Sequence, residues 1–334
     1  MRKNNEKEMR HFRIENHSFI GYNGKRMEGK RMIRKTAFGD YTLYTLEKEN
    51  LVVSVTDLGA TVTSLRYRGR ETVLGYDSPE LYLEKDAYIG AVIGRYANRI
   101  GGSAFALNGV TFLLAANEGS NQLHGGPMSY DKRRWQAEVK GEELRFTLSS
   151  PDGDNGFPGN LTAVVTYRLD RDCLYMDYAA ESDADTVFAP TSHMYFDLGG
   201  RGQILDARLR VNADQIVEVG EGLIPTGRLL PANDSFDFRT LRRVAEDYDH
   251  CFVLNGEDCC TVEDGGIRME IRTDFPAVQI YTGKFLPAPH KANSGLAIEP
   301  EFYPDSPNHP DFPSTLLRKG ERFHRWASYH FTEA

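Results

Sequence analysis

The stretch LTAVVTYRLDRDCLYMDYAA, Leu161 to Ala180, decides the fold. Leu161, Ala163, Val165, Tyr167 and Leu169 fall on every second position. An Asp-Arg-Asp turn interrupts them, and Leu174, Met176 and Tyr178 resume the period. Alternation by two places successive side chains on opposite faces of an extended strand, so these apolar residues share one face. The short polar turn sends the chain back antiparallel to itself. The same device lies upstream in WQAEVKGEELRFTL (135–148), where Trp135, Ala137 and Val139 answer Leu144, Phe146 and Leu148 across a Gly-Glu-Glu turn. It appears again in YTLYTLEKENLVVSVTDLG (41–59), and downstream in RMEIRTDFPAVQIYTG (268–283) and RFHRWASYHF (322–331).

Helix signals are few. SFDFRTLRRVAEDYDH (235–250) suggests a short helix and SPELYLEK (78–85) about one turn. There is no alternation of strands with helices, no glycine-rich phosphate loop and no repeat of fixed period. The expectation is therefore an all-β protein, a large antiparallel β-sandwich formed as one domain over residues 33–334. Residues 1–32 are basic and polar, with no apolar core segment or cleavage signature, so they do not read as a secretory signal. Met9, Met27 and Met32 each offer an internal start, and we read 1–32 as a flexible or artefactual extension.

Composition narrows the partners. The 334 residues carry a formal charge of -8, are 40% hydrophobic and 26% charged, and hold no apolar run long enough for a transmembrane helix. A polyanion would need a basic footprint, for which DKRRW (131–135) is the one local candidate. We therefore expect no nucleic-acid and no membrane partner. The four cysteines, Cys173, Cys251, Cys259 and Cys260, have no framework or ligand spacing and read as reduced thiols in a cytoplasmic protein. No two histidines have the spacing of a metal face and no HExxH occurs, so no metal is expected.

Four stretches combine proton-active residues with glycine and aromatics: GRYANRIGG (94–102), NQLHGG (121–126), PTSHMYFDLGG (190–200) and GLAIEPEFYPDSPNHPDFPS (295–314). His193 stands where a strand should begin, its ring toward a sheet face near a loop; a hydrogen-bonded structural role is its plainer alternative. Glu299 ends the apolar run GLAI, and alternation puts it on the face of Ala297 and Gly295. A carboxylate on a buried face is costly unless it is paired or working; the alternative is a rim position before Pro300. Arg99 reads as a site residue or a sheet-edge strut, and Asp249 as a turn residue or a ligand. The proline-bracketed Asn308-His309 reads as a rigid loop.

Taken together, these stretches resemble one family. GAVIGRYANRIGGSAFALNGVTFLLAANEGSNQLHGGPMSYDKRRW (90–135) is similar to the central signature of the aldose 1-epimerases, or galactose mutarotases: a GR-ANRI stretch, an N-LHGG turn and a DK-W segment. DLGATVTSLRYRGRETVLGYDSPELY (57–82) resembles their N-terminal strands. PTSHMYFDLGG resembles their TNH-like stretch, DYDHCF (247–252) their aspartate turn, and GLAIEPEFYPDSPNHPDFPSTLLRKGE (295–321) their LETQ-containing tail. The likeness runs in order over about residues 33–330.

The resemblance implies the family's β-sandwich and interconversion of the α and β anomers of a free aldose such as galactose or glucose. It implies Glu299 as general base at the C1 hydroxyl and His193 as general acid at the ring oxygen. His124 supports them, and Arg99, Asn98, His124 and Asp249 bind the sugar. The reaction expels no leaving group and changes no oxidation state, so no cofactor is implied. The partner is a small monosaccharide, and the protein a monomer or weak homodimer. The glycines after His124 are expected to let a sugar approach the backbone.

The chain departs from the family at Ser192 (usually Asn), Asp197 (Asn), Lys284 (Asn) and Pro300-Glu301 (Thr-Gln). These put sugar preference in question, and Glu301 adds a carboxylate able to raise the proton affinity of Glu299. Three other readings stay open. One is a mutarotase-like sugar-binding protein without turnover, another an epimerase of phosphorylated hexoses. The third is a glycoside hydrolase drawing two carboxylates from Glu299, Asp249 and Glu301.

Overall fold

The computed structural model describes residues 33–85 and 87–334, so the extension assigned to residues 1–32 lies outside the described residues. The hairpin that decided the fold forms in the expected register, with Leu169 opposite Leu174, Tyr167 opposite Met176 and Val165 opposite Tyr178. Leu174, Met176, Tyr178 and Ala180 are buried, and Tyr175, Asp177 and Ala179 between them are half-buried. That is the period of two written into burial.

This hairpin belongs to a nine-stranded antiparallel sheet, the first layer of the sandwich. In spatial order its strands are Gln136–Lys140, Glu143–Ser150, Leu161–Asp170, Cys173–Ser182, Arg322–Glu333, Ile267–Thr273, Asp258–Asp264, Arg208–Val211 and Arg242–Arg243. The strand latest in sequence, Arg322–Glu333, sits in the middle, pairing with Cys173–Ser182 on one side and Ile267–Thr273 on the other.

The second layer is built from two sheets. Five strands come from residues Arg34–Glu71, and six run in the order Tyr195–Phe196, Leu296–Glu301, Ala277–Tyr281, Asp249–Leu254, Ala213–Val219, Pro225–Pro231. An antiparallel bridge between Val73 and Phe196 joins them, flanked by Leu74 N donating to Tyr195 O at 2.8 Å and Asp197 N to Thr72 O at 2.9 Å.

The layers close on aromatic contacts. Tyr44 meets Phe146 edge-on at 5.7 Å, Tyr67 lies over Phe331 at 5.8 Å, and Phe196 packs on Tyr329 at 5.6 Å. Each side chain of this size, once buried, contributes about 1.5–3 kcal/mol by leaving water. Trp135 is buried too, its indole N–H donating to Tyr130 O at 3.2 Å.

Two local expectations resolve differently. SPELYLEK forms the one α-helix among the described residues, Pro79–Glu84, with Pro79 in its first turn. SFDFRTLRRVAEDYDH does not form a helix. It begins in a single 3-10 turn, Asp234–Phe236, and later adds Arg242–Arg243 to the edge of the nine-stranded sheet, against Arg208 and Leu209. The exposed backbone edge of Arg208–Val211 and the burial of Phe238, Val244 and Tyr248 outweigh the local preference for a helix. All four cysteines are free and buried. Among the described residues no helix is long and apolar enough to cross a membrane.

The six-stranded sheet has two unlike faces. Phe252, Val278, Ile280, Leu296 and Ile298 enter the core between the layers. Residues of the opposite parity, Asp249, Gln279, Tyr281, Ala297, Glu299 and Glu301, lie on the outer face, beneath the loops that carry His193, Asn98 and His124.

Candidate active site

Glu299 reaches the outer face by alternation. Its neighbours Ile298 and Leu296 enter the core, Ala297 lies on its own face, and Gln279 stands opposite it on the adjacent strand. Register also delivers His193. Tyr195 pairs with Ala297, so two residues further along an antiparallel ladder His193 falls opposite Glu299. The peptide of His193 is pinned on both sides, its N–H donating to Ala91 O at 2.9 Å and its C=O accepting from Gly90 N at 2.8 Å. His193 Nε2 lies 3.5 Å from Glu299 Oε1, and the two residues are 4% and 2% exposed.

His124 arrives by the same logic. Gln122–Leu123 pairs with Arg99–Ile100, which places His124 opposite Asn98. His124 N donates to Asn98 O at 3.0 Å, while Asn98 N donates to His124 Nδ1 at 3.1 Å. Both residues hold positive φ, 62° for Asn98 and 51° for His124, a strain that this reciprocal pairing sustains. The His124 and His193 rings meet edge-on at 5.2 Å, and the Tyr88 ring flanks both, at 4.6 and 6.0 Å.

The Asn98–His124 platform is anchored from behind. Arg95 is 2% exposed, and its guanidinium donates to Ser150 Oγ, Ser150 O, Pro151 O, Pro158 O and Gly159 O at 2.7–2.9 Å. The proline-bracketed loop buttresses the other side: Asp305 N donates to Arg99 O at 2.8 Å and Asp305 Oδ1 accepts from Gly101 N at 3.0 Å.

Arg99 forks onto Glu118 through Nε and Nη2 at 2.8 and 2.9 Å, with its side chain 12% exposed. Asp249 accepts from Gln279 Nε2 at 2.6 Å. Glu301, two residues beyond Glu299 on the same face, is fully buried, and its Oε1 accepts from Asn98 Nδ2 at 3.1 Å. Asn98 Oδ1 accepts from Arg99 N at 2.9 Å, so the amide that the sequence assigns to the sugar has both ends engaged within the protein.

Electrostatics follow from burial without compensating charge. Loss of water lowers the His193 imidazole to about 4. Burial, helped by the neighbouring His193 and Arg99, holds His124 well below the usual imidazole range. Burial raises the Glu299 carboxyl well above the usual range, and the nearby Glu301 and Asp249 charges raise it further while Arg99 opposes them. Glu301 is raised by burial as well, against the stabilising bond from Asn98. The Asn98 bond favours the ionised form of Glu301, and Glu299 has no bond equal to it. His193 Nδ1, Glu299 Oε2, Glu301 Oε2 and Gln279 Oε1 are buried without a hydrogen-bond partner among the described residues. Unmet polar atoms concentrated in one place indicate a site built for a polar visitor.

Nitrogen and oxygen atoms of His124, His193 and Glu299 come within 4.8 Å of one another, a spacing at which metals are held. The Asn98 N–H, however, occupies the Nδ1 lone pair of His124, which puts the proton of the neutral ring on Nε2. His124 therefore presents a donor, and the trio is an array for hydroxyl groups more than a set of three lone pairs.

The fold thus gathers Glu299, His193, His124, Asn98, Arg99 and Asp249 around one sheet face. The sequence reading missed Gln279, which pairs with Glu299 and holds Asp249. Its position in FPAVQIY shares the parity of Ala277 and Tyr281, a signal available once the outer face is known. Gly125 has a different purpose from the one expected. A Cβ there would stand 2.1 Å from Gly94 O, and φ is +86°, so the glycine admits the Gly94–Arg95 backbone. The basic run is also engaged elsewhere: Arg133 bonds Asp154 and Arg134 lies 4.4 Å over the Tyr41 ring.

Comparison with known proteins identifies relatives of the whole chain. The family described as Aldose 1-epimerase matches residues 42–330. The chain is 40% identical over 329 residues to the aldose 1-epimerase of Escherichia coli K12, covering 87% of this chain and 95% of that one. It is 36% identical over 326 residues to the galactose mutarotase of Homo sapiens, covering 89% and 95%. Among solved structures, an aldose epimerase homologue from C. elegans superposes with a TM-score of 0.85 at 29% identity, covering 88% of this chain and 99% of that one. A galactose 1-epimerase from Lactobacillus acidophilus NCFM gives 0.83 at 28%, covering 91% and 99%. With its hairpins, its outer-face carboxylates and its paired imidazoles in one register, the chain belongs to the aldose 1-epimerase family.

Proposed function

We propose that this protein is a mutarotase, interconverting the α and β anomers of a free aldose such as galactose or glucose. The observation that carries this reading is the 3.5 Å approach of His193 Nε2 to Glu299 Oε1, with both groups buried. Burial drives each toward its neutral form, so between them they hold one mobile proton: on Glu299 when His193 is neutral, or on His193 when Glu299 is a carboxylate.

Ring opening uses the second arrangement. The Glu299 carboxylate takes the proton of the C1 hydroxyl while the protonated His193 Nε2 gives its proton to the ring oxygen. The bond between C1 and the ring oxygen breaks and C1 becomes an aldehyde. The pair is left as carboxylic acid and neutral imidazole, the arrangement that burial favours. Rotation about C1–C2 turns the other carbonyl face toward the hydroxyl. Closure returns both protons, from Glu299 to the new C1 hydroxyl oxygen and from the ring hydroxyl to His193. The proton count is unchanged over the cycle. Each positioned catalyst contributes roughly 10²–10⁴-fold. The His124 Nε2–H and Arg99 donate to sugar hydroxyls, and Asp249 and Gln279 accept from them. Asn98 acts behind His124.

The competing enzyme readings are weaker. Glu299 and Glu301 lie side by side on one strand, whereas a hydrolase needs carboxylates flanking one bond. Arg99 already shares its charge with Glu118, which leaves little for a phosphate dianion. The four cysteines are unpaired and buried, which is in keeping with the cytoplasmic location that we propose. Polarimetry of freshly dissolved α-galactose and α-glucose tests the proposal. Equilibration faster than buffer alone is expected, and no acceleration across a panel of hexoses and pentoses overturns it in favour of a binding protein.

A further inference from the structure

Glu301 is a carboxyl group in an unusual position. It is 0% exposed, one oxygen accepts from Asn98 Nδ2, and the other has no partner among the described residues. No cation among the described residues is paired with it. A glutamate so placed for packing alone would cost several kcal/mol that an apolar side chain would not. Pro300 precedes it on the strand, and Glu299 shares its face one pleat away.

Asn98 can only present a donor to Glu301, because its Oδ1 is committed to the Arg99 peptide N–H. A carbonyl or carboxylate at position 301 serves that donor equally well. The charge is therefore the part of Glu301 that the Asn98 bond does not require, and Glu299 is the catalytic group nearest to it along the strand.

We propose that Glu301 is a positioning residue of the acid–base pair, which holds Asn98 behind His124 with one oxygen and, by its negative charge, strengthens the hold of Glu299 on the mobile proton. This rests on the mutarotase reading above. Of the other charges near the two glutamates, one acts in the same direction and one opposes it. Asp249 adds negative charge from the next strand but one and is bonded by Gln279, and Arg99 opposes it while forked onto Glu118. Burial keeps the imidazoles of His193 and His124 neutral. Around the pair, Cys251, Tyr96, Tyr195 and Tyr281 all have their protons held more tightly by burial and stay uncharged near neutral pH. Glu301 is thus a charge that a single isosteric change can remove without freeing a partner.

The test is the pH profile of kcat/KM for mutarotation in the wild type, Glu301→Gln and Glu301→Leu. Glu301→Gln keeps an acceptor for Asn98 and loses the charge, so KM stays close to wild type. Both limbs of its profile move to lower pH, and the curves cross: the variant is faster than wild type on the acid limb and slower on the alkaline limb. Glu301→Leu also loses the acceptor, and its KM rises as well because Asn98 and His124 are released. Superimposable wild-type and Glu301→Gln profiles, or a uniform loss with no displacement along the pH axis, overturn the proposal while leaving the mutarotase reading intact. A wild-type protein with no activity overturns the reading on which it rests.

Discussion

Replacing Glu299 by Gln should slow the protein and stabilise it at the same time. The amide has the carboxylate's shape but cannot take a proton from the C1 hydroxyl, so acceleration should fall by roughly 10²–10⁴. That corresponds to about 2.7–5.4 kcal/mol of transition-state stabilisation at 1.36 kcal/mol per decade. The stability change has the opposite sign. Glu299 is 2% exposed, its Oε2 has no partner among the described residues, and Glu301 and Asp249 stand close by. An unmet buried polar group costs about 1–3 kcal/mol, and the substituted amide can donate to the lone pair of a neutral His193. The gain should depend on pH. A carboxyl whose folded pKa lies above its unfolded value weakens the fold as pH rises from the ordinary carboxylate range through the raised value. The Tm of Glu299→Gln should therefore match wild type near pH 4 and exceed it increasingly toward pH 8, by about 2 °C or more. Polarimetry on freshly dissolved α-galactose reads the rate, and thermal melts across that range read the stability. Near-wild-type rates refute the assignment of the base, and a Tm below wild type at pH 8 refutes the account of stored strain.

Further outcomes follow from the same geometry. His193→Asn should lower kcat by roughly 10²–10⁴ with a much smaller change in KM, read by polarimetry at several sugar concentrations. Arg95→Met removes the donor shared by Ser150, Pro151, Pro158 and Gly159, and should cost at least ~3 kcal/mol in urea unfolding, since buried carbonyls lose a charged donor. Gly125→Ala sets a Cβ against Gly94 O in a left-handed backbone, and should lower both Tm and kcat by displacing His124. A wild-type melting curve for Gly125→Ala would show that the two loops do not need their close approach.

Most of the fold was legible because half-buried antiparallel strands write burial directly into alternation. Leu161–Ala180 could be read residue by residue, and Glu299 could be assigned to the face of Ala297. The failure at residues 235–250 has a physical cause: the pairing of Arg242–Arg243 with Arg208–Leu209 joins segments that no local pattern connects. The site was visible as residue types in four stretches, and the family resemblance linked them. What no local pattern announces is register. His193 faces Glu299 because Tyr195 pairs with Ala297, and His124 faces Asn98 because Leu123 pairs with Arg99. Gln279 was missed because glutamine within FPAVQIY carries no chemical signature of its own. The use of Gly125 was misjudged because the backbone it makes room for lies thirty residues earlier in the chain.

The central place of strand Arg322–Glu333 bears on how the molecule is made. Until that segment leaves the ribosome, the strands on its two sides have no common neighbour, and each half presents an open row of amide and carbonyl groups. A transcript truncated shortly before codon 322 would encode every group of the acid–base pair and still yield two unzipped half-sheets prone to pairing with other nascent chains. The two halves are thus zipped only by the strand that comes latest of the nine in sequence.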